Sequence, residues 1–156
     1  MRDVLWGRRP PPPRGLGADL LGRWQLSSLA DLSACRRRLT AALHGRVRPA
    51  RADEGSVERI VLLFEELGSN ALRHGRRPVQ LTVWSCSDHW LLTVSDAAVE
   101  SAPIPAINRD AAQGGMGLYL VARLGNGHGW TVDGDHKIAW VQVSFAGGDS
   151  AGDTPA

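Results

Sequence analysis

The strongest hydrophobic pattern in the 156-residue chain is helical and lies near the middle of the sequence. From Val57 to Leu72, apolar residues recur three or four positions apart, the spacing that puts side chains on one face of an α-helix. Ser56 is a residue type that accepts backbone N–H groups at a helix start, and Gly75 is one that ends helices. The pattern therefore predicts an amphipathic helix over residues 56–74.

Two further helical patterns flank this segment. Over residues 31–43, apolar side chains recur on one face while three consecutive arginines, 36–38, occupy the other. The third pattern covers residues 118–124, which follow a glycine-rich stretch and end at Gly125. Each of these predicted helices has one apolar face, which must pack against another layer of structure.

The remaining hydrophobic runs have the shorter spacing and the β-branched and aromatic composition of strands. They predict strands over residues 23–26, 79–86, 90–95, 129–132 and 138–145. Turn-like residues at 87–89 and 133–135 join the last four into two hairpins. Because strands come in adjacent pairs rather than singly between helices, we predict an α/β (α+β) two-layer sandwich. Its sheet is mixed and mostly antiparallel, and its helices lie on one face.

The two ends of the chain have a different composition from the middle. Residues 1–21 include four consecutive prolines, which cannot donate backbone hydrogen bonds, and we predict a flexible arm there. Residues 146–156 are mostly small or polar and are predicted to form a disordered tail. The predicted folded domain covers residues 22–145.

Composition limits the class of protein. A chain that is 43% hydrophobic and 22% charged matches one soluble globular domain. Its two cysteines are too few for a disulfide framework or a four-cysteine zinc site. No apolar run approaches the roughly 18 residues that span a bilayer, and the first residues lack an apolar signal core. We therefore expect a cytoplasmic protein with no membrane partner.

The basic residues exclude several kinds of nucleotide site. Of the 18 lysine and arginine residues, Lys137 is the sole lysine, and it is followed by Ile138. It fits neither a P-loop, which needs Gly-Lys-Ser/Thr, nor the strand lysine of a eukaryotic-type protein kinase. The first half of the chain is basic, but it shows no recognition-helix or RNA-binding pattern, so we expect no direct contact with nucleic acid.

Two polar residues on the long predicted helix suit magnesium phosphate chemistry. Glu66 and Asn70 are four positions apart and project together, away from the apolar stripe. A carboxylate can accept a proton from an attacking hydroxyl, and an amide oxygen can bind a hard cation. Such a pair alone is ordinary helix surface, so its meaning depends on the motifs nearer the C-terminus.

Those motifs are an aspartate at a strand end and a glycine-rich turn before a helix. Asp96 closes the strand predicted over residues 90–95, where a carboxylate can accept a hydrogen bond from an exocyclic amino group. Residues 114–117, Gly-Gly-Met-Gly, lead directly into the helix predicted over residues 118–124. Glycines before a helix let a phosphate approach its free N–H groups.

Together these motifs resemble the GHKL ATPase superfamily. Residues 66–75, Glu-Leu-Gly-Ser-Asn-Ala-Leu-Arg-His-Gly, resemble its N box, residues 94–98 its first glycine box and residues 115–121 its second. The small size and the short connection between the glycine boxes are most similar to bacterial anti-sigma-factor serine kinases. Among these, the sequence is most similar to the small ATP-binding regulators of high-GC Gram-positive bacteria.

The resemblance implies a Bergerat-type ATP-binding fold, with ATP and Mg²⁺ as ligands and a role for each matching residue. Glu66 would be the general base for a serine hydroxyl, and Asn70 would bind Mg²⁺. Asp96 would accept the adenine amino group. The remaining nucleotide-binding positions are those of the two glycine boxes, namely Ala98, Gly115, Met116, Gly117 and Leu118.

The implied partners are a sigma factor, which the protein would sequester, and an STAS-type anti-sigma factor antagonist, which it would phosphorylate. Dimers are common among such kinases, so a homodimer is a further expectation. The chain departs from the family pattern at Ala98, where the first glycine box usually has glycine, and its lid region carries Pro103 and Pro105. The alternative is therefore a non-catalytic protein-binding regulator that keeps the fold with weak or no ATP binding.

Overall fold

The computed structural model describes residues 7–100 and 123–146. Within these ranges the chain forms five strands and two helices. In chain order they are β1 (Asp19–Leu26), α1 (Leu29–Leu43), α2 (Glu54–His74), β2 (Val79–Ser85), β3 (His89–Asp96), β4 (Gly127–Asp133) and β5 (His136–Ser144).

The five strands form one sheet in the order β1-β2-β3-β5-β4, and every pair of neighbours is antiparallel. Among the described residues, the parallel contact is an isolated bridge between Arg8 and Trp130. Both helices pack on one face of the sheet. The predicted two-layer sandwich with a mostly antiparallel sheet is therefore confirmed.

The main core lies between the helices and the inner face of the sheet. In β3, alternate residues point inward and are buried, as the two-residue period of a strand requires. Trp24 of β1 meets Phe64 of α2 edge to face, with ring centroids 5.1 Å apart. Because α2 contacts three strands, it fixes the position of its polar residues relative to the end of β3.

Both helices begin two residues earlier than predicted, because different residues cap them. The predicted cap of α2 at Ser56 is wrong: the Asp53 side chain accepts the Ser56 N–H at 2.7 Å. Ser56 is buried in the first turn, where its hydroxyl donates to the Asp53 carbonyl oxygen. In α1, the Ser28 hydroxyl accepts the Asp31 N–H at 3.2 Å, so the helix begins at Leu29.

The first strand is also longer than the segment predicted over residues 23–26. Pairing with β2 begins at Asp19, within the region predicted as an arm, so the predicted domain boundary at residue 22 falls inside β1. Earlier residues of that region contact the sheet as well: the Arg9 N–H donates to the Trp130 carbonyl oxygen at 2.8 Å.

Some predicted segments lie outside the described residues. The helix predicted over residues 118–124 is described only at residues 123 and 124, and the tail predicted over residues 146–156 only at residue 146. In the described ranges, no helix combines the length and the apolar character needed to cross a membrane.

Candidate functional site

Asp96 is the centre of the candidate site. It is the last residue of β3 and is only 3% exposed. Its Oδ1 atom accepts the Ala98 N–H at 2.7 Å and the Arg76 N–H at 3.3 Å. Its Oδ2 atom lies 3.6 Å from Nζ of Lys137, which is also buried. The carboxylate is thus fixed in orientation by two backbone donors and one cation.

The C-terminal end of α2 is packed directly against this carboxylate. A Cβ atom at Gly75 would lie 2.6 Å from Asp96 Cγ and 2.7 Å from the Ala71 carbonyl oxygen, so this position requires glycine. Arg76, the residue after Gly75, bonds to the segment after β3, because its carbonyl oxygen accepts the Ala97 N–H at 2.7 Å. The end of the long helix and the end of β3 therefore form one bonded unit.

Glu66 and Asn70 lie on α2, upstream of that junction, and both are partly exposed. They are one helical turn apart, and Glu66 precedes Gly75 by nine residues, a rise of about 13 Å at 1.5 Å per residue. The neighbouring positions Leu67 and Ala71 are buried in the core. The two polar side chains therefore lie on a side of the helix that the sheet leaves accessible.

The protonation of Glu66 is perturbed by its surroundings. Burial raises the pKa of its carboxyl group, and the nearby charge of Glu65 raises it further, while Arg73 acts in the opposite direction. A carboxylate with a raised pKa is a stronger proton acceptor than an ordinary exposed glutamate.

The residues present fit the ligands that the sequence implies. Asp96 offers a buried carboxylate to an exocyclic amino group, which would share the Oδ2 atom with Lys137 Nζ, 3.6 Å away. No cluster of three or more His, Cys, Asp or Glu side chains able to hold a metal occurs in residues 7–100 and 123–146. An amide ligand such as Asn70 suits Mg²⁺, which usually takes one or two protein ligands and completes its shell with water and phosphate.

The structure places the predicted site residues in two groups. Asp96 and Ala98 are joined by a hydrogen bond, and Glu66 and Asn70 share one helix that ends against Asp96. Ala98 is buried, and its N–H donates to the Asp96 carboxylate. The alanine methyl group is therefore compatible with the hydrogen-bonded turn after β3. The predicted phosphate-binding residues lie outside the described part of the chain, namely Gly115, Met116, Gly117 and Leu118.

Lys137 is a residue of this site to which the sequence assigned no role. It is the direct cross-strand neighbour of Asp96, because β5 pairs with β3 in a register that matches these two residues. The sequence shows that Lys137 is the sole lysine, but it does not show that Asp96 is its neighbour. The pairing of β3 with β5 joins segments about forty residues apart, and no local pattern reveals that register.

Two solved histidine kinase structures are similar to this chain. One is the histidine kinase AdeS of Acinetobacter baumannii, with a TM-score of 0.46 and 14% identity, covering 81% of this chain and 69% of that one. The other is the histidine kinase domain of the blue-light-activated histidine kinase of Erythrobacter litoralis, with a TM-score of 0.45 and 20% identity. That match covers 79% of this chain and 68% of the other.

A search of curated proteins finds no match. The sequence model of the histidine kinase-like ATPase domain, by contrast, matches residues 26–141, well over half of the chain. The matched range contains α2, Asp96, Lys137 and both glycine boxes. The chain therefore belongs to the histidine kinase-like ATPase domain family.

Proposed function

We propose that the protein is an ATP-dependent serine kinase of the anti-sigma-factor type. In this proposal it phosphorylates an STAS-type anti-sigma factor antagonist and sequesters a sigma factor in the cytoplasm. The observation that carries the proposal is the junction of α2 with β3, where Gly75 and Arg76 contact the Asp96 carboxylate. This junction ties the helix of the candidate base to the candidate adenine acceptor.

The junction sets which end of the nucleotide would lie at which end of α2. Adenine would donate its amino group to Asp96 at the C-terminal end of α2. Asn70 and Glu66 lie about 6 and 12 Å, respectively, before His74, the last residue of α2, along the helix axis, at 1.5 Å per residue. That is the direction and the scale over which the triphosphate of an extended nucleotide would run. The reacting phosphate would therefore lie beside the polar side of α2.

Glu66 is proposed to act as the general base. It would accept the proton of a serine hydroxyl while the serine oxygen bonds to the γ-phosphorus. The bond from that phosphorus to the β–γ bridging oxygen breaks in the same step, and ADP leaves. Partial burial raises the pKa of Glu66, which strengthens it as a proton acceptor.

Asn70 is proposed to hold Mg²⁺ through its side-chain oxygen. The ion supplies positive charge to the phosphate oxygens when it is bound. Asn70 lies one turn from Glu66 on the same rigid helix, so it orients the phosphate end of the site relative to the base. Ala98 and the glycine-box residues Gly115, Met116, Gly117 and Leu118 complete the proposed nucleotide site.

One observation favours a second candidate function. The adenine acceptor Asp96 already forms a buried ion pair with Lys137, so a nucleotide would share this carboxylate with a cation. In the second candidate, the fold is kept, ATP binds weakly or not at all, and the protein acts by contact with a sigma factor or antagonist. The two candidates differ in a measurable property, namely transfer of the γ-phosphate.

The test is a phosphotransfer assay with the full chain, Mg²⁺, γ-labelled ATP and candidate antagonist proteins. Glu66→Gln should abolish label transfer while ATP binding, followed by calorimetry, is retained. Asn70→Ala should weaken ATP binding in the presence of Mg²⁺. Glu58→Gln is the matched control, since Glu58 is an exposed glutamate on the same helix and lies two turns before Glu66.

The outcomes separate the candidates. Transfer that is lost in Glu66→Gln and retained in Glu58→Gln agrees with the kinase. A wild-type chain that captures a sigma factor or antagonist, yet neither binds ATP nor transfers phosphate, would refute the kinase and favour the second candidate. Sedimentation of the same samples tests the expected homodimer.

A further inference from the structure

The outer face of the sheet, opposite the helices, carries a second apolar cluster. Leu91 of β3 and Trp140 of β5 are buried there together with Cys86, and Trp84 of β2 packs against them. The helices cover only the inner face, so something else must shield these side chains from water. In this structure the shield is the chain's own residues 7–14, which we call the arm.

Backbone hydrogen bonds attach the arm to the edge strand β4. The Arg9 N–H donates to the Trp130 carbonyl oxygen at 2.8 Å, and the Trp130 N–H donates to the Gly7 carbonyl oxygen at 3.2 Å. The indole Nε1 of Trp140 donates to the Arg9 carbonyl oxygen at 2.9 Å. Gly129 makes room for this contact, since a Cβ atom there would lie 2.7 Å from Arg9 Cγ. The arm is thus held as an added extended segment.

Three arginines of the arm lie over the rings of three tryptophans of the sheet. Trp84 and Trp140 belong to the outer cluster, whereas Trp130, in the edge strand, packs against the main core. The guanidinium carbon of Arg14 lies 3.8 Å from the ring centroid of Trp84. The corresponding distances for the other pairs, Arg8 on Trp130 and Arg9 on Trp140, are 5.3 Å and 5.8 Å. A planar guanidinium stacks on an aromatic ring in a way that an ammonium group does not. These contacts select arginine rather than positive charge in general.

The prolines between the arginines fit the surface incompletely. Residues 10–13 are all proline, a sequence that favours the extended polyproline conformation at low entropic cost. A pocket of about 430 Å³, partly open to solvent, remains where Pro11, Pro12 and Pro13 cross the sheet. It is lined also by the apolar Trp84, Leu91 and Ile138 and by the polar Arg23, Thr82 and Thr93. The arm therefore leaves part of the surface beneath it unfilled.

The connection from the arm to β1 is suited to release. Gly15 and Gly17 both adopt positive φ, at 83° and 78°, which glycine does without strain. Leu16 between them is fully exposed. The arm can therefore leave the sheet by rotation at this turn without extracting a buried side chain from it.

We propose that this outer surface, formed by Trp84, Leu91, Gly129 and Trp140 and called here the arm site, is a peptide-binding site. Its ligand is an extended segment of a partner protein rich in proline and arginine, and the arm is the built-in competitor for it. We choose a partner segment as the ligand because of the unfilled pocket: a segment with one bulkier residue among its prolines fills it better than the arm does. The arm site lies on the sheet face opposite α2, so this proposal does not depend on ATP.

The test uses a synthetic peptide with the sequence of residues 7–14 and the full chain. In one variant, Arg8→Ala, Arg9→Ala and Arg14→Ala weaken the arm without shortening the protein. This variant should bind the peptide, and the wild-type chain should bind it more weakly, because the tethered arm competes at high effective concentration. A peptide with lysine at the three arginine positions should bind about tenfold to a hundredfold more weakly, from roughly two- to fivefold per stack.

Trp84→Leu, added to the arm-weakened chain, should reduce peptide affinity while circular dichroism confirms the fold. Three results would overturn the proposal. One is an arm-weakened, folded chain that does not bind the peptide. Another is equal binding of the arginine and lysine peptides, which would indicate adsorption by charge alone. The last is a concentration-dependent dimer of the wild-type chain that Arg14→Ala abolishes, which would assign the arm site to a second copy.

Discussion

Replacing Lys137 by methionine should destabilise the protein strongly, although the change keeps most of the volume of the buried side chain. The side chains of Lys137 and Asp96 are only 8% and 5% exposed, and their charged atoms lie 3.6 Å apart. Methionine removes the cation and leaves the Asp96 carboxylate buried. The loss of unfolding free energy in Lys137→Met therefore measures the cost of that uncompensated charge.

The distance between the two charges sets the scale of the effect. At 3.6 Å and an effective dielectric constant of about 20, the attraction is about 5 kcal/mol before desolvation is counted. Removing one partner of a buried pair typically costs about 3–5 kcal/mol. Because two backbone N–H groups still donate to Asp96 Oδ1, we expect a loss near the lower end, about 3 kcal/mol.

The assay is urea unfolding followed by tryptophan fluorescence, with the free energy of unfolding taken from the midpoint and slope. A double-mutant cycle with Asp96→Asn isolates the interaction, since both single variants remove the same ion pair. The expected coupling is about 2–3 kcal/mol. Arg37→Met, on the exposed side of α1, is the matched control and should change stability by less than about 0.5 kcal/mol.

Two results would refute this reasoning. If Lys137→Met unfolds at the same urea concentration as the wild-type chain, the ion pair does not offset the burial of Asp96. If the effects of Lys137→Met and Asp96→Asn simply add, the two side chains stabilise the fold independently, and the electrostatic explanation fails.

Three further outcomes test other parts of the structure. Asp53→Ala should lower the free energy of unfolding by about 1 kcal/mol, because α2 loses its cap, while Asp53→Asn keeps the acceptor and most of the stability. Gly75→Ala should cost about 1–3 kcal/mol in urea unfolding, because its methyl group overlaps Asp96, whereas Gly55→Ala has room and should cost nothing. If Glu66 is the base, phosphotransfer should fall as pH decreases, since the active form is the carboxylate. Its raised pKa puts that fall above the range of an ordinary glutamate, and a transfer rate that stays constant over this pH range would contradict the assignment.

The elements of the fold were largely predictable, because each leaves a local signal. The apolar spacing in α2 and the β-branched runs of β2 and β3 depend on neighbouring residues alone. Helix starts were less predictable, since several residues near each start can accept an N–H group. At α2 both Asp53 and Ser56 are suitable types, and only the backbone conformation decides that Asp53 caps the helix.

The candidate site was predictable where it belongs to a motif and not where it depends on strand register. Glu66, Asn70 and Asp96 belong to recognisable motifs. Lys137 is next to Asp96 only because β5 lies beside β3 in a particular register, and such long-range pairing has no local signature. The packing of the arm, residues 7–14, on the sheet could not be predicted for another reason. Its prolines lack N–H donors, and the tryptophans that its arginines contact are distant in sequence.

The same two strands serve both proposed sites, because side chains alternate along a strand. In β3, Asp96 faces the helix layer while Leu91 faces the arm; in β5, Lys137 and Trp140 divide in the same way. Substitutions at outward positions such as Trp84 therefore leave the Asp96 carboxylate and its donors in place. Phosphotransfer and peptide binding can consequently be removed one at a time, so the failure of one proposal leaves the other open to test.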